Sequence, residues 1–220
     1  MIQTEILYAN AAIGQSPQIL QDIHIKSKNI AIYQRHIEAL NKELKQIQEQ
    51  TIECRVKGTA EEILPILQAY FAKHLNGCNA LLADITKLLN FFQQLSQATS
   101  FRLLLATIST NMCRRFHTDI NDLRMLCTYI GQGTLWVPDE VVNHRATAKG
   151  SNEDMVLDEQ QIQQVNTGDV IILKGALYED ANPILHRSPS IEKHGEKRLL
   201  LRIDTNDFLH SLTNPVETKK

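Results

Sequence analysis

The segment CRRFHTD holds a histidine and an aspartate two positions apart, His117 and Asp119. In an extended chain the side-chain period is two, so both point to the same face. An imidazole nitrogen and a carboxylate oxygen side by side are two ligands for one divalent metal ion. The pair alone says little. Eight histidines and eleven aspartates in 220 residues produce about 0.4 such pairs by chance. A third ligand has to come from another strand, and His186 in PILHRSPS offers it, after the apolar run GDVIILKGALY. Two imidazoles and one carboxylate on one face of an octahedral ion leave three coordination positions open.

Residues so far apart in sequence need a scaffold that returns the chain to one point. The chain changes character near residue 100. Before it, helical periodicity dominates. QRHIEALNKELKQIQEQ places Ile37, Leu40, Leu44 and Ile47 at helical spacing, which predicts an amphipathic helix packed on its own domain. KNIAIYQR reads as a short strand. In GTAEEILPILQAYFAKHLNG, Thr59 and Glu62 match a capping box, and Gly77 is a stop signal. NALLADITKLLNFFQQLSQ carries Leu81, Leu82, Ile85, Leu88, Leu89, Phe92 and Leu95 as one apolar stripe, read as core packing. After residue 100, FRLLLATIS, LRMLCTYI, TLWV, DVIILK and KRLLLRID read as short strands bounded by Gly- and Asn-rich turns. An α+β protein follows, with N-terminal helices over residues 1–99 supporting a jelly-roll or cupin-like β core over 100–210, and a tail from 211 to 220. The polar stretch 139–164 breaks the strand rhythm. It reads as a loop insert, either a lid or a disordered segment.

Composition narrows the function classes. Net charge is −2 with no basic tail, so there is no electrostatic footprint for nucleic acid. The N-terminus lacks the basic-then-apolar pattern of a secretory signal, and no apolar run is long enough to span a membrane. Cys54, Cys78, Cys113 and Cys127 have no C-x-x-C spacing and read as reduced thiols, so a cytoplasmic location is expected.

Further residues extend the metal hypothesis through a resemblance. FHTDINDLRMLCTYIGQGTLWVP, TGDVIILKG and HRSPSIEKHGEKRLLLRID together are similar to the ordered motifs of the 2-oxoglutarate/Fe(II)-dependent dioxygenase superfamily. The resemblance covers roughly residues 100–204. It implies a double-stranded β-helix, Fe(II) on His117, Asp119 and His186, and 2-oxoglutarate as co-substrate. In that superfamily a Gly-containing turn and a strand-leading Arg follow the distal His. Here those positions are Gly195 and Arg198, which implies that Arg198 grips the distal carboxylate of 2-oxoglutarate. A guanidinium suits that task because it stays charged and binds a carboxylate through two parallel hydrogen bonds. Arg202, four residues on, is the rival, and Tyr129 is a further candidate for a hydrogen bond to the co-substrate. The turn between His186 and Arg198 runs long, and nothing in the motif set specifies a substrate.

The whole chain also resembles an uncharacterised bacterial family, a domain of unknown function, through NIAIYQR, the His-x-Asp stretch, GDVIILKG and EKRLLLRID. Members are often encoded beside GTPases of metal homeostasis in operons tied to zinc limitation. That resemblance implies a role in metal supply and a GTPase partner. Two readings therefore stand: an oxygenase of unknown small-molecule or protein substrate, and a non-catalytic zinc- or iron-binding or partner-binding protein on the same fold. The remaining histidines are read as structural or solvated. His36 and Glu38 repeat the two-apart spacing, but on a helix such residues do not face each other. A zinc site using Cys113 and Cys127 with the histidine and aspartate is a further alternative.

Overall fold

The computed structural model describes residues 8–111, 113–146, 150–179 and 182–205. Among the described residues, ten strands form two sheets. The large sheet contains β1 (Ala11–Gly14), β2 (Ile30–Tyr33), β3 (Glu53–Gly58), β4 (Phe101–Ile108), β5 (Leu123–Ile130), β8 (Val170–Lys174) and β10 (Arg198–Thr205), in the order β1-β2-β8-β5-β10-β4-β3. The small sheet contains β6 (Leu135–Trp136), β7 (Gln163–Gln164) and β9 (His186–Arg187), in the order β7-β6-β9. A single bridge from His117 to His186 extends the small sheet on the other side of β9.

The pairing is nested. β4 pairs with β10, the His117 segment with β9, β5 with β8, and β6 with β7, all antiparallel. The first segment therefore meets the last, the second the last but one, and so inward. A chain paired this way is one long hairpin rolled over so that its segments lie alternately in two facing sheets. That is the double-stranded β-helix, or jelly roll.

Side-chain alternation sorts the two cores. On β10, Leu199, Leu201 and Ile203 pack with the helices, whereas Leu200 joins Leu126, Ile171, Leu173 and Trp136 between the sheets. The helices α1 (Asn41–Ile47), α2 (Ala60–His74) and α3 (Asn79–Ser96) cover the outer face of the large sheet. The stripe expected on α3 is buried at Leu81, Ile85, Leu88, Leu89, Phe92 and Leu95. The capping box at Thr59 and Glu62 forms both of its hydrogen bonds, satisfying amides that the first turn leaves open. The helix expected around residues 37–47 is shorter than its apolar pattern, with α1 preceded by a 3₁₀ turn at Glu38–Leu40.

Two expectations are revised. The division at residue 100 does not separate helices from strands, because β1, β2 and β3 lie in the same sheet as β4, β5, β8 and β10. The signal for β3 was in the sequence: ECRVKG alternates exposed Glu53, Arg55 and Lys57 with buried Cys54 and Val56. The 139–164 segment is neither a plain loop nor wholly irregular. It holds the short helix α4 (Asn152–Met155), and its Val142, Met155 and Val156 pack on Phe116, Val137 and Leu185 against the outer face of the small sheet. The tail from 211 and His210 lie outside the described residues. No helix among the described residues is long and apolar enough to cross a membrane.

Candidate metal centre

The bridge between His117 and His186 builds the site. Each residue's backbone N–H donates to the other's carbonyl, both at 3.0 Å. This places the two imidazoles side by side across the ladder, ring centroids 4.6 Å apart with their planes tilted by 46°. Asp119, two residues on, falls on the same face, as period two requires. Its Oδ1 is 3.7 Å from His117 Nε2, and its Oδ2 is 3.3 Å from His186 Nε2. One ligand atom from each of the three residues lies within 4.8 Å of the others.

The hydrogen bonds of the ring nitrogens decide what these atoms can do. His117 Nδ1 is 3.1 Å from the Arg115 carbonyl, and His186 Nδ1 is 3.2 Å from the Ile184 carbonyl. A carbonyl only accepts, so each Nδ1 carries a proton, and in the neutral tautomer the lone pair is the one at Nε2. Burial, opposed by the nearby Asp119 carboxylate, pulls the His186 pKa down to about 4, so the ring is neutral near pH 7. Asp119 Oδ2 is buried and accepts no hydrogen bond. The Nε2 atoms of both rings and an unsatisfied carboxylate oxygen thus converge, and the His186 Nε2 carries no proton near pH 7. Electron-rich atoms held so close repel unless a cation lies between them. The donor set, two nitrogens and one oxygen on one side, fits Fe(II) or Zn(II).

A second layer holds Asp119 in place. Its other oxygen, Oδ1, accepts from Arg124 Nη1, so the orphaned Oδ2 is the one left for a metal. Arg124 also donates through Nε to Asp204 Oδ1, which accepts from Asn121 Nδ2 at 3.1 Å as well. Arg202 Nε lies 3.1 Å from Asp204 Oδ2. Burial lowers the Arg124 pKa, but Asp204 and Asp119 outweigh it and the pKa is raised. Arg124, Asn121 and Asp204 were not singled out from the sequence. The available signal was a charged residue inside an apolar strand at barrel-facing positions: Arg124 before Leu126, and Asp204 after Leu200 and Arg202.

Arg198 is different from Arg202. It is 1% exposed, and its Nη2 donates to Thr128 Oγ1 at 3.1 Å and Thr134 Oγ1 at 3.5 Å. Its Nε has no acceptor. No carboxylate pairs with it among the described residues, and burial lowers its pKa to about 10, still well above neutral. Arg198 and Arg202 line the same narrow cleft as His117 and His186. The Gly-Gln-Gly turn makes this possible. Gly131 has φ +81°, and a Cβ there would sit 2.3 Å from the Lys197 carbonyl beside Arg198.

Tyr129 is not beside the three candidate ligands. On β5 it shares the helix-facing side with Met125 and Cys127, and its hydroxyl donates to Asp84 Oδ2 at 2.7 Å. The expected hydrogen bond from Tyr129 to a co-substrate is therefore corrected: period two sends it through the sheet, and Thr128 is the residue of that pair facing Arg198. Cys127 lies on that outer face too, its thiol pushed up to about 11 by burial. It cannot join Cys113 in a zinc site. Cys113 lies on the cleft wall but outside the group of three ligands. His36 Nδ1 lies 3.4 Å from Glu38 Oε1, and both side chains are exposed.

Fold and site together define a double-stranded β-helix carrying a cluster of two histidines and one aspartate that could hold a metal ion. The chain belongs to the family described as "Protein of unknown function (DUF1826)", which matches residues 14–204. No curated protein matches it. Among solved structures it is similar to a dioxygenase for auxin oxidation from Arabidopsis thaliana in a binary complex with 2-oxoglutarate, at 9% identity, covering 89% of this chain and 91% of that one, TM-score 0.49. It is similar to a Pseudomonas putida prolyl-4-hydroxylase at 12% identity, covering 84% and 95%, TM-score 0.42. A putative oxygenase from Shewanella oneidensis matches at 11% identity, 89% of each chain, TM-score 0.43. Likeness this distant does not transfer a reaction or a residue role. Those rest on this chain's own geometry.

Proposed function

We propose that this protein is an Fe(II)- and 2-oxoglutarate-dependent oxygenase. His117, Asp119 and His186 would hold the iron, and Arg198 would bind the distal carboxylate of 2-oxoglutarate. The observation that carries the reading is Arg198: a buried guanidinium with two hydroxyls and, among the described residues, no acid, in the same cleft as three converging ligand atoms. A purely structural metal site has no use for an unpaired buried cation. A co-substrate with one carboxylate near the metal and another near Arg198 gives each its partner.

When bound, the iron would supply activation of dioxygen, one oxygen atom ending in succinate as 2-oxoglutarate loses CO2 and the other in the hydroxylated C–H bond of the substrate. The chain's own residues do the rest. The two Nδ1–H···carbonyl bonds keep both Nε2 lone pairs turned toward the metal position. Arg124 holds Asp119 Oδ1 and leaves Oδ2 for the ion. Thr128 and Thr134 orient Arg198, and the apolar side chains of Leu126 and Leu200 keep water from the cleft between them.

The test is succinate formation from 2-oxoglutarate by protein loaded with iron under anaerobic conditions and then exposed to air. Loss of turnover in both His117→Ala and Arg198→Met supports the reading. No turnover by the wild type, with one equivalent of tightly held zinc in protein from unsupplemented cells, favours the alternative of a non-catalytic metal-binding protein instead.

A further inference from the structure

The cleft over the three candidate ligands is narrow, about 50 Å³, so it admits a chemical group and not a whole molecule. Its charge is one-sided. Arg124, Arg187, Arg198 and Arg202 line it, and no aspartate or glutamate among the described residues does. The carboxylates that these guanidiniums meet, Asp119 and Asp204, are buried behind that lining. The four cations are not equivalent. Arg187 follows His186 on β9, and alternation turns it the other way, its guanidinium 4.6 Å from the centre of the Phe116 ring. Arg124 is spent on Asp119 and Asp204. Arg198 is deeply buried, tied to Thr128 and Thr134, and is the group left for the distal carboxylate of 2-oxoglutarate.

Arg202 remains. It shares the inner face of β10 with Arg198 and Leu200, and its side chain is 30% exposed, so of the three inward guanidiniums it is the one nearest solvent. Four residues of strand put its Cα about 13 Å from that of Arg198. Its guanidinium leans further away, Nε lying 3.1 Å from Asp204 Oδ2, so one distal carboxylate does not serve both. Asp204 does not neutralise it alone, because Asp204 Oδ1 also accepts from Arg124 Nε and Asn121 Nδ2. No hydrogen bond among the described residues uses either Nη of Arg202. Arg124, Arg198 and Arg202 set three positive charges against the two negative charges of Asp119 and Asp204, one cation in excess. A divalent ion and doubly charged 2-oxoglutarate cancel each other and leave that excess in place. Burial pulls the Arg202 pKa down, and the charges of Arg124 and Arg102 pull the same way, by more than Asp204 and Asp119 restore. A part-exposed guanidinium short of negative charge, in the cleft of the metal ligands, is a receptor for an anion.

We propose that the substrate carries an anionic group, a carboxylate or a phosphate, that enters this cleft and is held by Arg202, while the rest of the substrate stays outside it. The proposal rests on the oxygenase reading for the word substrate; the anion site stands without it. The test is calorimetric titration of hexanoate and hexyl phosphate into the full chain, iron-loaded under argon with N-oxalylglycine, an inert analogue of 2-oxoglutarate, already bound. Hexanamide is the neutral counterpart. At least one anion binds, hexanamide binds at least about tenfold more weakly, and Arg202→Met weakens that anion by about tenfold or more, the scale of one hydrogen bond to a charged group. Arg202→Lys keeps the charge and recovers part of the loss, and melting temperatures show that each variant is folded. Absence of anion binding, hexanamide binding as tightly as the anions, or an unchanged affinity in folded Arg202→Met overturns the proposal. So does an Arg202→Met variant that loses N-oxalylglycine as much as it loses the anion, because Arg202 would then hold the co-substrate. The titration repeated on metal-free protein, with a succinate assay, separates the two ideas. Arg202-dependent anion binding by a protein that makes no succinate supports an anion site on a protein that is not an oxygenase. Succinate without Arg202-dependent anion binding overturns this inference alone.

Discussion

Arg198 should cost the metal-free protein stability and return it as co-substrate binding, and a single substitution can expose both. The buried guanidinium has its pKa pulled from 12.5 to about 10 by burial, with no acid to offset the loss of water. At about 1.4 kcal/mol per pKa unit, keeping it charged costs the folded state on the order of 3 kcal/mol at pH 7. The sign follows from the direction. A base whose folded pKa lies below its unfolded value destabilises the fold wherever it is protonated in both states, which here includes the whole neutral range. Arg198→Met keeps most of the volume and removes the charge, so part of that cost is recovered, against the loss of the bonds to Thr128 and Thr134. A net gain of about 1–2 kcal/mol raises the melting temperature of the metal-free protein by roughly 2–8 °C for a chain of this size. The same substitution removes a charge-assisted carboxylate contact worth about 1.5–3 kcal/mol, weakening 2-oxoglutarate by roughly 10- to 150-fold. Differential scanning calorimetry of the chelated protein and anaerobic titration of 2-oxoglutarate into the iron-loaded protein measure the two halves. A variant that melts lower and binds 2-oxoglutarate as tightly as wild type would refute the reasoning, because Arg198 would then be a structural residue paid for by its threonines.

Three further predictions concern the metal centre. His117→Ala, Asp119→Asn and His186→Ala should each leave far less than one equivalent of iron on the chain after desalting, measured by elemental analysis, since each removes one of the three proposed protein ligands. Arg124→Met should weaken metal binding by about 10- to 100-fold in a competition assay with a chelator, because Asp119 loses the partner that fixes its free oxygen; it should also lower stability by about 3–5 kcal/mol in urea, since Asp204 keeps its buried charge with one guanidinium fewer. The metal-free protein should lose stability as pH falls from about 6.5 toward 4. His186 has its folded pKa lowered to about 4, so the unfolded chain takes up the proton first. Its contribution is complete above the unfolded pKa and is lost below it, up to about 3 kcal/mol. Urea unfolding of wild type and His186→Leu across that window checks this, and equal slopes for the two proteins would contradict it.

Much of this architecture was legible before any coordinates. The five strand segments after residue 100 declared themselves by apolar runs and turn residues; β4, β5, β6 and β8 lie within them, and β10 overruns its segment by one residue, Thr205. The helix of residues 79–96 was legible because its stripe repeats at 3.6 residues and is buried along its length. What escaped was short or weakly periodic. The alternation in ECRVKG was passed over because helices flank it, and AAIG is too short to carry a period. The insert at 139–164 looked solvated because its few apolar residues, Val142, Met155 and Val156, bury themselves by landing on another sheet's outer face, which no local pattern reveals.

For the site, the sequence by itself determined chemical types and shared faces. His117 with Asp119, and Arg198 with Arg202, must each point one way, because period two leaves them no alternative. It could not determine which way, nor which partner waits there. That was decided by tertiary structure alone, because the partners lie far off in the chain. The bridge from His117 to His186 joins the three ligands. Asp204 lies beside Arg202 and leaves Arg198 the free cation. Asp84 takes the hydroxyl of Tyr129 on the far side of the sheet. Period fixes relative orientation within a strand, and only the rolled-up pairing of strands converts it into a location.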